Sequence, residues 1–244
     1  MPLFAALLLP FRLSAQADNS WVTREQAAVW VGAFAEEALS SRVTLWGDAS
    51  WRRMGMGDRP QQLLLRPGVL VTLAPGVKVG GGYTYVATAP YGQLPIAAPT
   101  REHRTWQDLQ LAHQAGRVGV SHRFRLEQRW VHPVLSTGTG STTYTNRFRY
   151  RARGTVPIGG LMVQGQPVYG FAWDELLMPI GGKAQTFTLG QNRASLGVGF
   201  SLSRTTKAEL GYMNLYNAFA SRRANEVNHT LWLSWHYAGN HRRR

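Results

Sequence analysis

Alternation with a period of two runs through this chain. From Val118 to Val131, Val118, Val120, Phe124, Leu126 and Trp130 fall on one face, with His122 and Gln128 as exceptions. Gly119, Ser121, Arg123, Arg125, Glu127, Arg129 and Val131 fall on the other. After a loop over 132–142 the pattern resumes, setting Tyr144, Asn146, Phe148, Tyr150 and Ala152 against Thr145, Arg147, Arg149, Arg151 and Arg153. Successive side chains of a strand point to opposite faces, so these are two strands with one apolar and one strongly charged side. A helical period of 3.6 would scatter the arginines round a cylinder. The runs also exceed the ~5–6 residues of an ordinary soluble strand. Length, aromatic content and alternation together point to an apolar face turned to lipid and a charged face turned to a lumen.

About eleven such runs can be read: 26–36, 42–53, 61–73, 77–88, 102–113, 118–131, 144–152, 161–174, 189–202, 206–217 and 227–237. In the run 161–174 the outward set is Leu161, Val163, Tyr169, Phe171 and Trp173, and Pro167 implies a bulge. Short connections at 38–41, 74–77, 115–118, 157–160 and 203–206 alternate with longer ones, the asymmetry of bacterial outer-membrane barrels. Trp51, Trp130, Tyr144, Trp173, Trp235 and Tyr237 lie near strand ends, where interfacial girdles form. Bacterial single-chain barrels carry even strand numbers. The expectation is therefore an all-β, antiparallel, up-and-down transmembrane barrel of about 12 strands, with ten as the alternative.

The ends divide the chain further. Residues 1–17 read as a signal peptide: a short apolar stretch to Leu13 precedes Ala15-Gln16-Ala17, the small-residue pattern of a signal-peptidase site. Residues 18–238 form the barrel domain, and 239–244 a basic tail. Beyond the leader no stretch approaches the ~18 consecutive apolar residues of a membrane-spanning helix. The implied location is the cell outer membrane.

Composition adjusts this picture in two places. The chain carries 27 Lys+Arg against 13 Asp+Glu, a net charge of +14. Nucleic acid is the usual partner of such charge, but these arginines alternate with aromatics and match no nucleic-acid-binding motif, so no nucleic acid is expected. The acidic partners that remain are outer-membrane lipid, through its phosphates, and an anionic solute. The chain has no cysteine, which excludes a disulfide framework and a thiolate metal site.

The second half resembles a family of bacterial outer-membrane-type barrels known only as a domain of unknown function. The matching stretches are Arg147 to Arg153 (RFRYRAR), Trp173 to Leu177 (WDELL), Gln191-Asn192-Arg193, Glu209 to Asn214 (ELGYMN) and Asn228-His229. The resemblance implies a barrel in an outer membrane and carries no known activity, hence no catalytic residue.

Candidate chemistry lies in the lumen. Arg123, Arg125, Arg129, Arg147, Arg149, Arg151 and Arg153 form one basic wall. Glu127, Asp108, Asp48 and Glu209 face the same interior as acidic partners, and Asp174, Glu175, Arg193, Asn228 and His229 are candidates at a barrel mouth. Charges inside a small barrel must be paired or wet, so an Arg–carboxylate ladder bracing the barrel is the first reading. The functional alternative is a basic passage for an anionic solute, kept open by the excess of arginine over acid. A lipid-ester hydrolase would draw on Ser121-His122, or on Ser234 with His236 and Asn228. Neighbours such as Ser121 and His122 point to opposite faces, however, and there is no G-x-S-x-G elbow. The histidines show no helical i, i+4 pair, so neither a metal nor a cofactor is expected, and the barrel is read as a monomer.

Overall fold

The computed structural model describes residues 21–163, 165–181, 189–220 and 223–240. The signal-peptide segment and the last four residues of the tail lie outside this range. Residues 239–240, read as the start of the tail, instead complete the final strand.

Twelve strands follow one another: β1 (Val22–Ala38), β2 (Val43–Met54), β3 (Arg59–Ala74), β4 (Val77–Thr88), β5 (Thr100–Ala115), β6 (Val118–Leu135), β7 (Gly138–Thr139), β8 (Thr143–Val163), β9 (Gln166–Ile180), β10 (Gln191–Ser201), β11 (Thr206–Phe219) and β12 (Ala224–Asn240). The two-residue β7 only pairs with the end of β6. The other eleven close into one barrel in the order β5-β4-β3-β2-β1-β12-β11-β10-β9-β8-β6, with β6 pairing back onto β5. Neither twelve nor ten is the strand number. The evenness rule misled: among the described residues each of the eleven runs contributes one barrel strand.

An odd count has a geometric consequence. In an up-and-down meander the first and last of eleven strands run in the same direction, so the barrel closes through a parallel seam. β1 and β12 pair in register from Val22 opposite Ala224 to Ala38 opposite Asn240. All other pairings are antiparallel. β1 thus starts at the end bearing the loop 89–99, and β12 finishes at the end bearing the tight turns 75–76 and 116–117.

Closure is helped by glycines where bulky groups enter. Gly82 and Gly68 face each other across β3 and β4. A Cβ on Gly82 would lie 2.6 Å from the Trp106 ring and 2.7 Å from the Gly68 Cα. The Gly80–Gly82 run is thus the seat of Trp106, which is buried against Trp46 and Leu70.

One strand runs opposite in phase to the sequence reading. β8 runs on through 157–160, the stretch read as a turn, so Leu161 to Val163 belong to β8 and β9 begins at Gln166. A register irregularity between Pro157 and Met162 separates the two parities. Tyr169, Phe171 and Trp173 therefore point into the barrel, and Trp173 belongs to no outer girdle. Gly197 and Gly211 explain the choice: a Cβ on Gly197 would lie 2.7 Å from the Phe171 ring.

Candidate functional site

The inward positions of neighbouring strands stand side by side, so the period of two becomes a lattice of charged side chains. On β5, β6, β8, β9 and β10 that lattice is continuous. Glu102 takes two guanidiniums, from Arg104 (Nε–Oε1 2.7 Å) and Arg129 (Nε–Oε1 2.5 Å). Arg104 lies 3.9 Å from Glu127. Glu127 also accepts from Arg147 (2.8 Å) and Arg149 (2.7 Å). Arg149 then bridges to Glu175 (2.8 Å), which is shared with Arg123 (2.5 Å) and Arg193 (3.5 Å). Glu127 and Glu175 are buried, so in this dry stretch every carboxylate lies between guanidiniums.

Two pairs stand beside this chain. Arg125 grips Asp108 with two bonds, of 2.5 and 2.6 Å, and its guanidinium lies 4.3 Å from the Trp106 ring. Arg66 meets Asp48 at 3.2 Å.

Glu209 gathers a separate group. It accepts from Arg153 (2.5 Å) and from the Tyr169 hydroxyl (2.8 Å), with His236 Nε2 at 3.5 Å. Ser234 Oγ is 2.9 Å from that same nitrogen. The carboxylate and the hydroxyl thus share one ring nitrogen. A nucleophile–base–carboxylate relay uses both nitrogens, one for the hydroxyl and one for the orienting acid.

The remaining candidates separate by parity. Asp174, one residue from Glu175, points outward and accepts two bonds from Asn192 Nδ2 (3.1 and 2.9 Å). Asn228 is buried inside and donates to Glu226 (2.6 Å), whereas His229 points outward to the Tyr212 hydroxyl (2.6 Å). Asp174–Glu175 and Asn228–His229 therefore form no joint site.

Several lumen residues were not among the sequence candidates: Arg52, Arg66, Arg104, Glu102, Glu226 and Trp30. Each stands at an inward alternate position, which was the available signal. Trp30 matters most. The Arg52 guanidinium lies 3.9 Å from its ring and that of Arg193 5.2 Å. Its indole donates to Gln61 (2.8 Å). Together with Leu64, Arg66 and Arg149 these side chains make a waist lining two lumen cavities. One, of about 780 Å³, reaches the short-turn rim at Arg117 and Arg204. The other, of about 310 Å³, lies toward the long loops. There the loop 89–99 folds inward, and Tyr91 packs against the cluster of Ala28, Trp30, Met54, Met213 and Leu215. Burial, with Glu226 nearby, pushes the Tyr91 phenol up to about 12, so this lid residue is neutral at ordinary pH.

The charge inside is not balanced. Among the described residues, Arg52 and Arg151 have no carboxylate within 4.0 Å. Both line the larger cavity.

Fold and lumen together define a closed all-β barrel with a charged, internally braced interior. The chain belongs to the family described as a protein of unknown function, DUF2490, whose model matches residues 27–226. No curated protein and no solved structure matches the chain.

Proposed function

We propose that this protein is an outer-membrane barrel that crosses the bilayer with its strands and holds a small anionic solute in its basic lumen. The observation that carries the membrane reading is the outer surface. Leu45, Leu63, Leu65, Val69, Leu109, Leu126, Leu196, Leu210, Leu231 and Leu233 are all exposed at outward alternate positions. A soluble protein rarely leaves so much contiguous apolar surface in water. Trp51, Trp130 and Tyr144 sit toward the long-loop rim, and Trp235 and Tyr237 toward the other, which suits two headgroup levels. The barrel strands run from 11 to 21 residues, enough for the ~9–11 that a tilted strand needs to cross hydrocarbon.

Outward polar groups fit the same environment because they satisfy one another. Gln128 accepts from Thr105 (2.7 Å) and exchanges bonds with Gln107 (3.1 and 3.2 Å). In a medium without water such pairing is obligatory. The solute reading rests on Arg52 and Arg151, which line a cavity and have no carboxylate within 4.0 Å among the described residues.

Cell fractionation tests the location. The protein is expected in the outer-membrane fraction, released by detergent and retained through an alkaline carbonate wash. Recovery in the soluble fraction without detergent would overturn the reading.

A further inference from the structure

The larger cavity has two unlike walls. In the strand order, β6 and β8 stand half the circumference away from the β1–β12 seam. Arg123, Arg151 and Arg153 line the cavity from the first side. Trp30, Phe34 and Trp232 line it from the second. The parallel seam sets Trp30 opposite Trp232 and Phe34 opposite His236. Trp232 lies 6.4 Å from the Trp30 ring and 6.1 Å from that of Phe34, while His236 stacks on Phe34 at 4.8 Å and 9°. Gly32 allows this surface, since a Cβ there would come within 2.9 Å of Phe34 and 3.1 Å of Trp232.

The basic wall is not fully committed. Arg153 is held by Glu209, but Arg151 has no carboxylate within 4.0 Å among the described residues. Arg123, only 9% exposed, uses one end of its guanidinium on Glu175, and its Nε has no hydrogen-bond partner among the described residues. A buried donor without a partner is costly and is satisfied when an acceptor arrives. Guanidiniums suit carboxylate and phosphate oxygens, and flat aromatic faces suit a flat apolar body.

We propose that this cavity is a binding site for an amphipathic organic anion, with its acid group on Arg151 and Arg123 and its apolar body on Phe34, Trp232 and Trp30. The site deepens the preceding proposal and rests on it: that reading requires an anion in the lumen, this one an apolar body on the anion. A cavity of about 780 Å³ has room for a molecule of that kind.

Equilibrium dialysis on the full barrel in a non-ionic detergent tests it, with three probes: a naphthalene carboxylate, the corresponding uncharged naphthalene alcohol, and inorganic phosphate. The carboxylate is expected to bind more tightly than either of the others. Arg151→Gln should weaken it about tenfold, the loss of one charge-assisted contact. Phe34→Ala should weaken the carboxylate and leave phosphate unchanged. Circular dichroism confirms that each variant keeps its strands, and dialysis against protein-free micelles subtracts partition into the detergent. Equal binding of carboxylate and phosphate, both insensitive to Phe34→Ala, would overturn the amphipathic site while leaving an anion-holding lumen. Absence of binding by either anion would overturn both.

Discussion

At the scale of single residues, the lumen arginines fall into two kinds that look alike in sequence. Arg149 is enclosed by Glu127 and Glu175, whereas Arg151, one inward position further on, has no carboxylate within reach among the described residues. A buried ion pair contributes little net stability, but removing one partner strands the others in a dry interior. Glu127→Gln leaves Arg147 and Arg149 without their shared carboxylate, so it should destabilise the barrel by about 3–5 kcal/mol. Arg151→Gln removes a charge with no carboxylate within 4.0 Å among the described residues and should leave stability unchanged or raised. Urea unfolding of the two variants in one detergent, followed by tryptophan fluorescence, separates them. Equal losses would mean that the ladder is not what distinguishes these arginines. Parity alone placed the arginines of β6 and β8 inside. It could not say which carboxylate each meets, because Arg149–Glu175 and Arg153–Glu209 join residues 26 and 56 positions apart. Those pairings depend on the register of strands far apart in the chain.

At the scale of elements, alternation locates the strands but fixes their ends less well: the run 118–131 continues to Leu135, and 227–237 widens to Ala224–Asn240. β4 begins after the Ala74-Pro75-Gly76 turn signal and ends at Thr88, as its sequence pattern predicts. β9 is legible in existence and not in phase. Its aromatic positions fit the lipid side by hydrophobicity alone, and the hollows that receive them inside, Gly197 and Gly211 for Phe171 and Gly199 for Tyr169, lie on other strands. Glycine inside a strand weakens it locally but admits a ring that otherwise has no place. The same trade holds at Gly68, where the Trp106 ring, 2.3 Å from the position of a Cβ, fills the space a side chain would take. Gly68→Ala should therefore cost about 1–3 kcal/mol through overpacking, even though alanine is the better strand former. Paired with Trp106→Leu, the cost should shrink, since the smaller side chain vacates the seat. A double-mutant cycle in urea measures this coupling, and strict additivity would show that Trp106 is not the obstacle.

At the scale of the whole molecule, the odd strand number places the two ends of the barrel sheet at opposite rims. It also brings β1 and β12 together as a parallel seam whose inner surface is aromatic. From that seam Trp30 reaches the guanidiniums of Arg52 and Arg193, and Tyr91 covers it from the long-loop side. Closure of the barrel and closure of its lumen thus share one residue. Water and ions entering from the short-turn rim meet the cavity of about 780 Å³ and then this waist, beyond which lies the smaller one of about 310 Å³. The wild-type barrel should accordingly be nearly silent in a planar bilayer. Trp30→Ala together with Tyr91→Ala removes two rings and no charge, so every ion pair keeps both members, and Arg52 and Arg193 lose only the face of the Trp30 ring. The two cavities should then join, and the path between them is flanked by Arg52, Arg149 and Arg193. Current through the double variant should favour chloride over potassium, because an excess of fixed positive charge at a constriction attracts anions. A measured reversal potential in a salt gradient gives the sign. A cation-selective current would mean that the carboxylates, not the arginines, govern the waist, and a silent double variant would mean that Trp30 and Tyr91 do not close it.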